Sequence, residues 1–160
     1  MAFTTDNLVQ DGSFEVILKS DPAIEGVSDE EYAAYARTLD ESLLRLVQGQ
    51  EPTRWKMAKK LKYAHKQWVD AAKIEIDKHG DVKVKVFELM AREVRASLET
   101  IISPSSVPED KRLESKLKKT GDGLVTEDFC VALGSLVEDL YLIRQIYLEA
   151  QKTGKATLKK

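Results

Sequence analysis

Few residues in this chain are of a type and spacing that chemistry could use. His65 and His79 stand fourteen residues apart, with no His-x-x-x-His or His-Glu-x-x-His spacing to set two imidazoles on one helical face, so no metal centre is expected. Cys130 sits between Phe129 and Val131 in an apolar run and reads as a small core hydrophobe rather than a nucleophile. The adjacent acids Asp29-Glu30-Glu31, Glu127-Asp128 and Glu138-Asp139 would point about 100° apart on a helix, and the first two sets fall where helices should start. The eight glycines are scattered. Gly121-Asp122-Gly123 is too short for a phosphate-cradling loop, and Gly134-Ser135 is expected inside a helix. These absences predict a non-catalytic protein with no cofactor, no metal and no small-molecule substrate. A pocket setting His65 or Cys130 beside a carboxylate would revive an enzymatic reading, through a site assembled from distant residues.

Charge is the stronger signal. The net charge of −2 conceals eleven acids against three bases in residues 1–52, four against ten in 53–85, and twelve against twelve beyond. In the basic segment Lys59, Lys62, Lys66 and Lys73 fall in one helical arc, interleaved in sequence with Trp55, Tyr63 and Trp68. Phosphates favour lysines along one face and unstacked bases favour aromatic platforms, so nucleic-acid binding by residues 54–85 is one reading. The other is an ordinary solvated face, with Trp68 at the centre of the neighbouring apolar arc and packed in the core.

The elements that must position these residues follow from length and pattern. At 160 residues, 42% hydrophobic and 32% charged, the chain suits a single core. One cysteine permits no intramolecular bridge and fits a reducing compartment. The start MAFTTDNLVQDG lacks the basic and apolar regions of a secretory signal, and no run is long enough to span a membrane. A cytoplasmic protein, or one assembled from the cytoplasm into a larger particle, is expected.

Residues 1–152 are expected to form one mainly α (α+β) domain: a bundle of about four helices with a small N-terminal β element, followed by a basic tail over 153–160 that should fray. Ser13–Ser20 and Thr53–Ala58 read as short strands. Ser28 and Glu31 form a capping-box pair that starts a helix from Asp29 to about Val47. A second helix is expected from Lys59 to Ile76. Over residues 74–86 two helices meeting near Gly80 compete with a hairpin, because Ile74, Ile76, Val82, Val84 and Val86 alternate while Val84, Phe87, Met90, Val94, Leu98 and Ile101 keep helical spacing to Ser103. Two helices are the favoured reading. A short charged helix over Glu109–Lys119 follows the Ser103–Pro108 turn. Thr126 then caps a long apolar helix with the stripe Phe129, Leu133, Leu136, Val137, Leu140, Ile143 and Tyr147. Trp68, the Val84–Ile101 stripe and the Phe129–Tyr147 stripe are the expected core.

The order Phe14-Glu15-Val16-Ile17-Leu18-Lys19-Ser20-Asp21-Pro22, then Pro52-Thr53-Arg54-Trp55-Lys56-Met57 leading into a helix with Trp68, resembles small tailed-bacteriophage proteins of the tail region over residues 13–103. The resemblance implies a tail-assembly chaperone or minor virion component, helical and non-catalytic, that masks or joins apolar surfaces of another phage protein in the host cytoplasm or the virion. On the chain itself, Leu142 and Ile146 widen the apolar stripe of the last helix towards a second face, with Tyr141 beside them. That face is the expected site of self-association or of a protein partner. Nucleic-acid binding through Lys59, Lys62, Lys66 and Lys73 is the alternative.

Overall fold

A computed structural model describes residues 12–158 apart from Ile74, Asp77, Asp81 and Val84; side chains are described through Thr153, excluding those of 75, 76, 82 and 83. The expected strands pair. β1 (Ser13–Val16) runs antiparallel to β2 (Arg54–Ala58), with Phe14 opposite Met57 and Val16 opposite Trp55. Alternation along β2 buries Trp55 and Met57 on one face while Arg54 and Lys56 face out, which is the period-2 pattern of a half-buried strand.

Between them lies α1 (Asp29–Thr38), whose start carries the expected capping box: the Glu31 amide donates to Ser28 Oγ at 3.1 Å and the Ser28 amide to Glu31 Oε1 at 3.3 Å. Two tyrosines of α1 satisfy the backbone of Ile17 just past β1. Its amide donates to the Tyr35 hydroxyl at 2.9 Å, and the Tyr32 hydroxyl donates to its carbonyl at 2.8 Å. Desolvation on burial pushes the Tyr35 phenol up to about 12.

The helix ends nine residues before the expected Val47. Leu39 turns left-handed at φ 58°, and Asp40 caps a 3-10 turn over Glu41–Leu43 by accepting from the Ser42 amide at 3.0 Å. Short polar side chains that bond their own backbone outcompete helix continuation here. Residues 44–47 instead run beside Ala23–Glu25, with Ile24 bridging Leu46 and the Val47 amide bonded to the Ala23 carbonyl at 2.8 Å.

The second helix, α2, covers only Tyr63–Asp70 and buries Val69. After it comes the less favoured of the two readings, a hairpin: β3 (Glu75–Ile76) pairs with β4 (Val82–Lys83), Ile76 opposite Val82, around Gly80 at φ 83°. A positive φ in a tight turn suits glycine, and β-branched alternation prevails over the helical stripe. Ile74 and Val84, both used in the sequence patterns, lie outside the described residues.

Helix α3 (Val86–Ser97) passes without a loop into β5 (Leu98–Ile102), the third strand, which pairs with β2 to give the antiparallel order β1-β2-β5. The sequence reading extended the helix through this segment. Its end is nevertheless encoded: Ser97 Oγ bonds the Glu93 carbonyl at 2.7 Å, and Thr100-Ile101-Ile102 is a β-branched run that favours a strand. Ile101 lands opposite Trp55 and completes the buried face of the sheet.

The expected charged helix at 109–119 is reduced to a 3-10 turn (Glu109–Lys111) and one helical turn, α4 (Leu113–Lys116). The long apolar helix is two. Thr126 caps α5 (Glu127–Leu133) as expected, but Gly134 at φ 58° and ψ −128° stops it, a conformation that a Cβ would strain. Helix α6 (Leu136–Leu158) then runs on through most of the segment expected to fray.

Helices α1 and α3 flank α6, which buries Leu140 and Ile143 against them and stacks Tyr147 on Phe14 of the sheet at 4.6 Å between ring centres. Full burial of each such aliphatic side chain contributes about 1.5–3 kcal/mol. Trp68 is not the centre of this core. It is only partly buried and lies outside the cluster that Trp55, Met57, Leu98 and Ile101 form with α6. The fold is α+β.

Candidate functional site

Two concavities lie on opposite faces of α3. The first, a groove of about 770 Å³, runs between α3 and the corner where α5 meets α6, with Trp68 of α2 at one side. Met90 and Cys130 are its buried parts, whereas Phe87 at 79% and Val131 at 73% exposure stand at its edges. Such exposure of an aromatic and a branched residue flanking one groove leaves apolar surface that the fold itself does not cover.

Trp68 is fixed by arginines rather than by the core. The Arg92 and Arg95 guanidinium carbons lie 5.1 and 5.0 Å from its ring centre, within cation–π range. Arg92 also donates to the Trp68 carbonyl and to Glu88 Oε1, both at 2.6 Å, and Arg95 Nε donates to the Val125 carbonyl at 2.7 Å. The remaining charges on this side are acids. Glu127 and Glu138 line the groove, and among the described residues neither has an ion-pair partner. The groove is therefore apolar inside with an acidic margin.

The second concavity, about 600 Å³, lies between α2 and the C-terminal half of α6. Lys59, Lys60, Lys66, Lys73, Arg144 and Lys152 line it, against the carboxylates of Asp70, Glu93 and Glu149. Arg144 is 4% exposed. It donates to the carbonyls of Ala58 and Lys59 at 3.0 and 3.2 Å and faces Glu93 at 3.5 Å. Burial pulls its pKa below the ordinary guanidinium value and pushes the Glu93 carboxyl above the usual carboxylate range, in each case against the attraction of the partner.

Of the residues singled out in the sequence, Lys59, Lys66 and Lys73 line this second cleft, the Lys59 side chain running on against Gly12, but Lys62 does not. Its Nζ lies beside Gly123, on the turn where His65 Nε2 meets the Asp122 carbonyl at 2.8 Å. Leu142 at 47% and Ile146 at 39% exposure share the outer face of α6, while Tyr141 points a quarter-turn away and packs partly buried against the core. Cys130 does meet a carboxylate in the groove, that of Glu127, but the thiol is buried, and desolvation first and the Glu127 charge after it push it up, opposing formation of a reactive thiolate. Among the described residues no group of three His, Cys, Asp or Glu side chains is placed to hold a metal ion, and no helix is long and apolar enough to cross a membrane.

Phe87, Val131 and Arg144 were not legible as site residues. Phe87 fitted the Phe87–Met90–Val94 spacing of a buried stripe, but α3 begins at Val86 and its first turn lies at the margin of the packed face. Arg144 did leave a signal: an arginine four residues after Leu140 sits on the buried stripe of its own helix, where such a group needs a partner. No family model, no curated protein and no solved structure matches the chain.

Proposed function

We propose that this protein is a non-catalytic protein-interaction module that docks a helical segment of another protein in the groove between α3 and the α5–α6 corner. One observation carries the reading: Phe87 and Val131, each about three-quarters exposed, flank an apolar groove between helices with Met90 inside it. The unpaired acids of its margin favour a partner whose apolar ridge is bordered by lysines and arginines, and they oppose a symmetric pairing of two copies that would bring like charges together. The resemblance to small phage tail proteins supplies the setting for this role, that of an assembly factor or minor virion component in host cytoplasm or particle. The outer face of α6, with Leu142 and Ile146, is the smaller alternative surface for the same partner class.

Purifying the chain with its bound protein and weighing the intact complex tests the reading. A paired Phe87→Asp and Val131→Lys change is expected to release the partner, and a paired Leu142→Asp and Ile146→Asp change to retain it. Loss only with the second pair would move the docking face to α6, and a complex made solely of this chain would replace the partner with a second copy.

A further inference from the structure

The lysine-lined cleft is independent of that groove, and we infer that it binds a compact oligophosphate anion. Its cations are brought together by the fold. Lys59 and Lys60 follow β2, Lys66 lies on α2 and Lys73 three residues past its end, and Arg144 and Lys152 come from α6. Lys73 is paired with Asp70 at 3.1 Å and Arg144 with Glu93, but among the described residues Lys59, Lys66 and Lys152 have no carboxylate partner. Six cations against three carboxylates around a concave site with Leu61, Val69 and Leu148 in its walls give a positive field that low-dielectric surroundings strengthen.

Arg144 is the second observation. A buried guanidinium normally satisfies its donors, yet Arg144 Nε is sealed from solvent and has no hydrogen-bond partner. Burial also disfavours its charge. Nε itself is out of a ligand's reach, but an anion held by the lysines would act through space on a guanidinium whose paired carboxylate, Glu93, stands 3.5 Å away.

The walls also discriminate among phosphate-bearing ligands. Among the described residues no aromatic side chain lines the cleft: Trp55 is buried in the sheet, Trp68 lies in the other groove, the exposed Tyr63 bonds Gln67 on the surface of α2, and Tyr141, though close enough for its phenol to feel Glu93, Lys73 and Arg144, packs against the core. Single-stranded nucleic acids are held by base stacking as well as by phosphate contacts, and this cleft offers only the latter. Flexible lysine ammonium groups around a pocket match the several oxygens of linked phosphates.

Isothermal titration of the intact chain with inorganic tripolyphosphate tests the inference. One saturable site is expected, weakening as salt is raised, with affinity reduced about tenfold in a Lys66→Gln, Lys152→Gln variant. Both lysines are exposed, so the variant should melt as the native chain does; if it does not, Lys59→Gln alone serves the same purpose. A Lys118→Gln, Lys119→Gln control, remote in sequence from the cleft-lining residues, should bind unchanged. A nucleoside triphosphate and a short oligothymidylate form the other arms: the first should compete through its phosphates and the second should compete poorly. Absence of saturable binding, an equal loss in the control, or an oligothymidylate that binds and is not displaced by tripolyphosphate would each overturn the assignment.

Discussion

The groove and the cleft draw on the same helices, α2, α3 and α6, yet they place opposite demands on the fold. In the groove the apolar side chains Phe87 and Val131 are left in water, so the folded state loses little if they are replaced. In the cleft a charged pair, Glu93 and Arg144, is taken out of water, so the fold is committed to keeping both members. Exposed grease and buried charge are both departures from a minimal globular design, but only the second is entangled with stability.

The largest consequence of that difference concerns Arg144. Arg144→Ala leaves the half-buried Glu93 carboxylate with only Gln145 as its hydrogen-bond donor and leaves two carbonyls without theirs, and is expected to lower unfolding free energy by about 3 kcal/mol in denaturant titration. Exchanging both members together, Glu93→Leu with Arg144→Met, should recover most of that loss, because it removes two desolvated charges at once.

On the groove side the greatest sensitivity is in the backbone rather than in the apolar rim. Gly134 lines the groove and holds the α5–α6 corner at a φ and ψ that other residues tolerate poorly. Gly134→Ala is expected to cost about 1–3 kcal/mol and to alter groove shape, detectable as reduced partner affinity exceeding that of any single rim change. Arg92→Ala should cost only about 1 kcal/mol, since its contact with Trp68 is partly solvated. Phe87→Ser should move stability by no more than about 0.5 kcal/mol while weakening the complex. A Phe87→Ser loss as large as that of Arg144→Ala would erase the contrast between the two sites.

Acidity sharpens the same comparison. Burial raises the Glu93 carboxyl above its ordinary 4.5, so the folded chain holds that proton more tightly than the unfolded chain does. Its contribution to stability is therefore largest below the ordinary value and is lost as pH rises through the raised one. Glu93→Gln should remove that portion of the pH dependence from thermal melts, whereas Phe87→Ser should leave it in place.

How much of this was readable beforehand depended on whether the signal was local. Ser28 and Glu31, Thr126, and the alternation around Trp55 and Met57 act within a few residues, and each produced the element it announced. The strand β5 did not, because Val94, Leu98 and Ile101 satisfy helical spacing and only pairing with Trp55 decides between helix and strand. The break at Gly134 was hidden for a related reason: apolar spacing continues across it, and the left-handed turn appears only once α5 and α6 are packed. At the sites, Lys59, Lys66 and Lys73 share the cleft, but not through the helical arc expected of them: α2 covers only Tyr63–Asp70, so Lys59 and Lys73 lie outside it. Departure of Lys62 to the Gly123 turn, arrival of Lys152 from the far end of α6, and exposure of Phe87 all depend on tertiary placement, which periodicity does not encode.

Photocrosslinking from position 131 tests the docking role most directly. With a photoreactive residue replacing Val131 in the producing cell, one adduct is expected, joined to an amphipathic helical segment of a different protein with basic residues beside its apolar ridge, and Phe87→Asp should abolish it. An adduct formed only with another copy of this chain, or an adduct that persists undiminished when Phe87 is changed, would contradict the account.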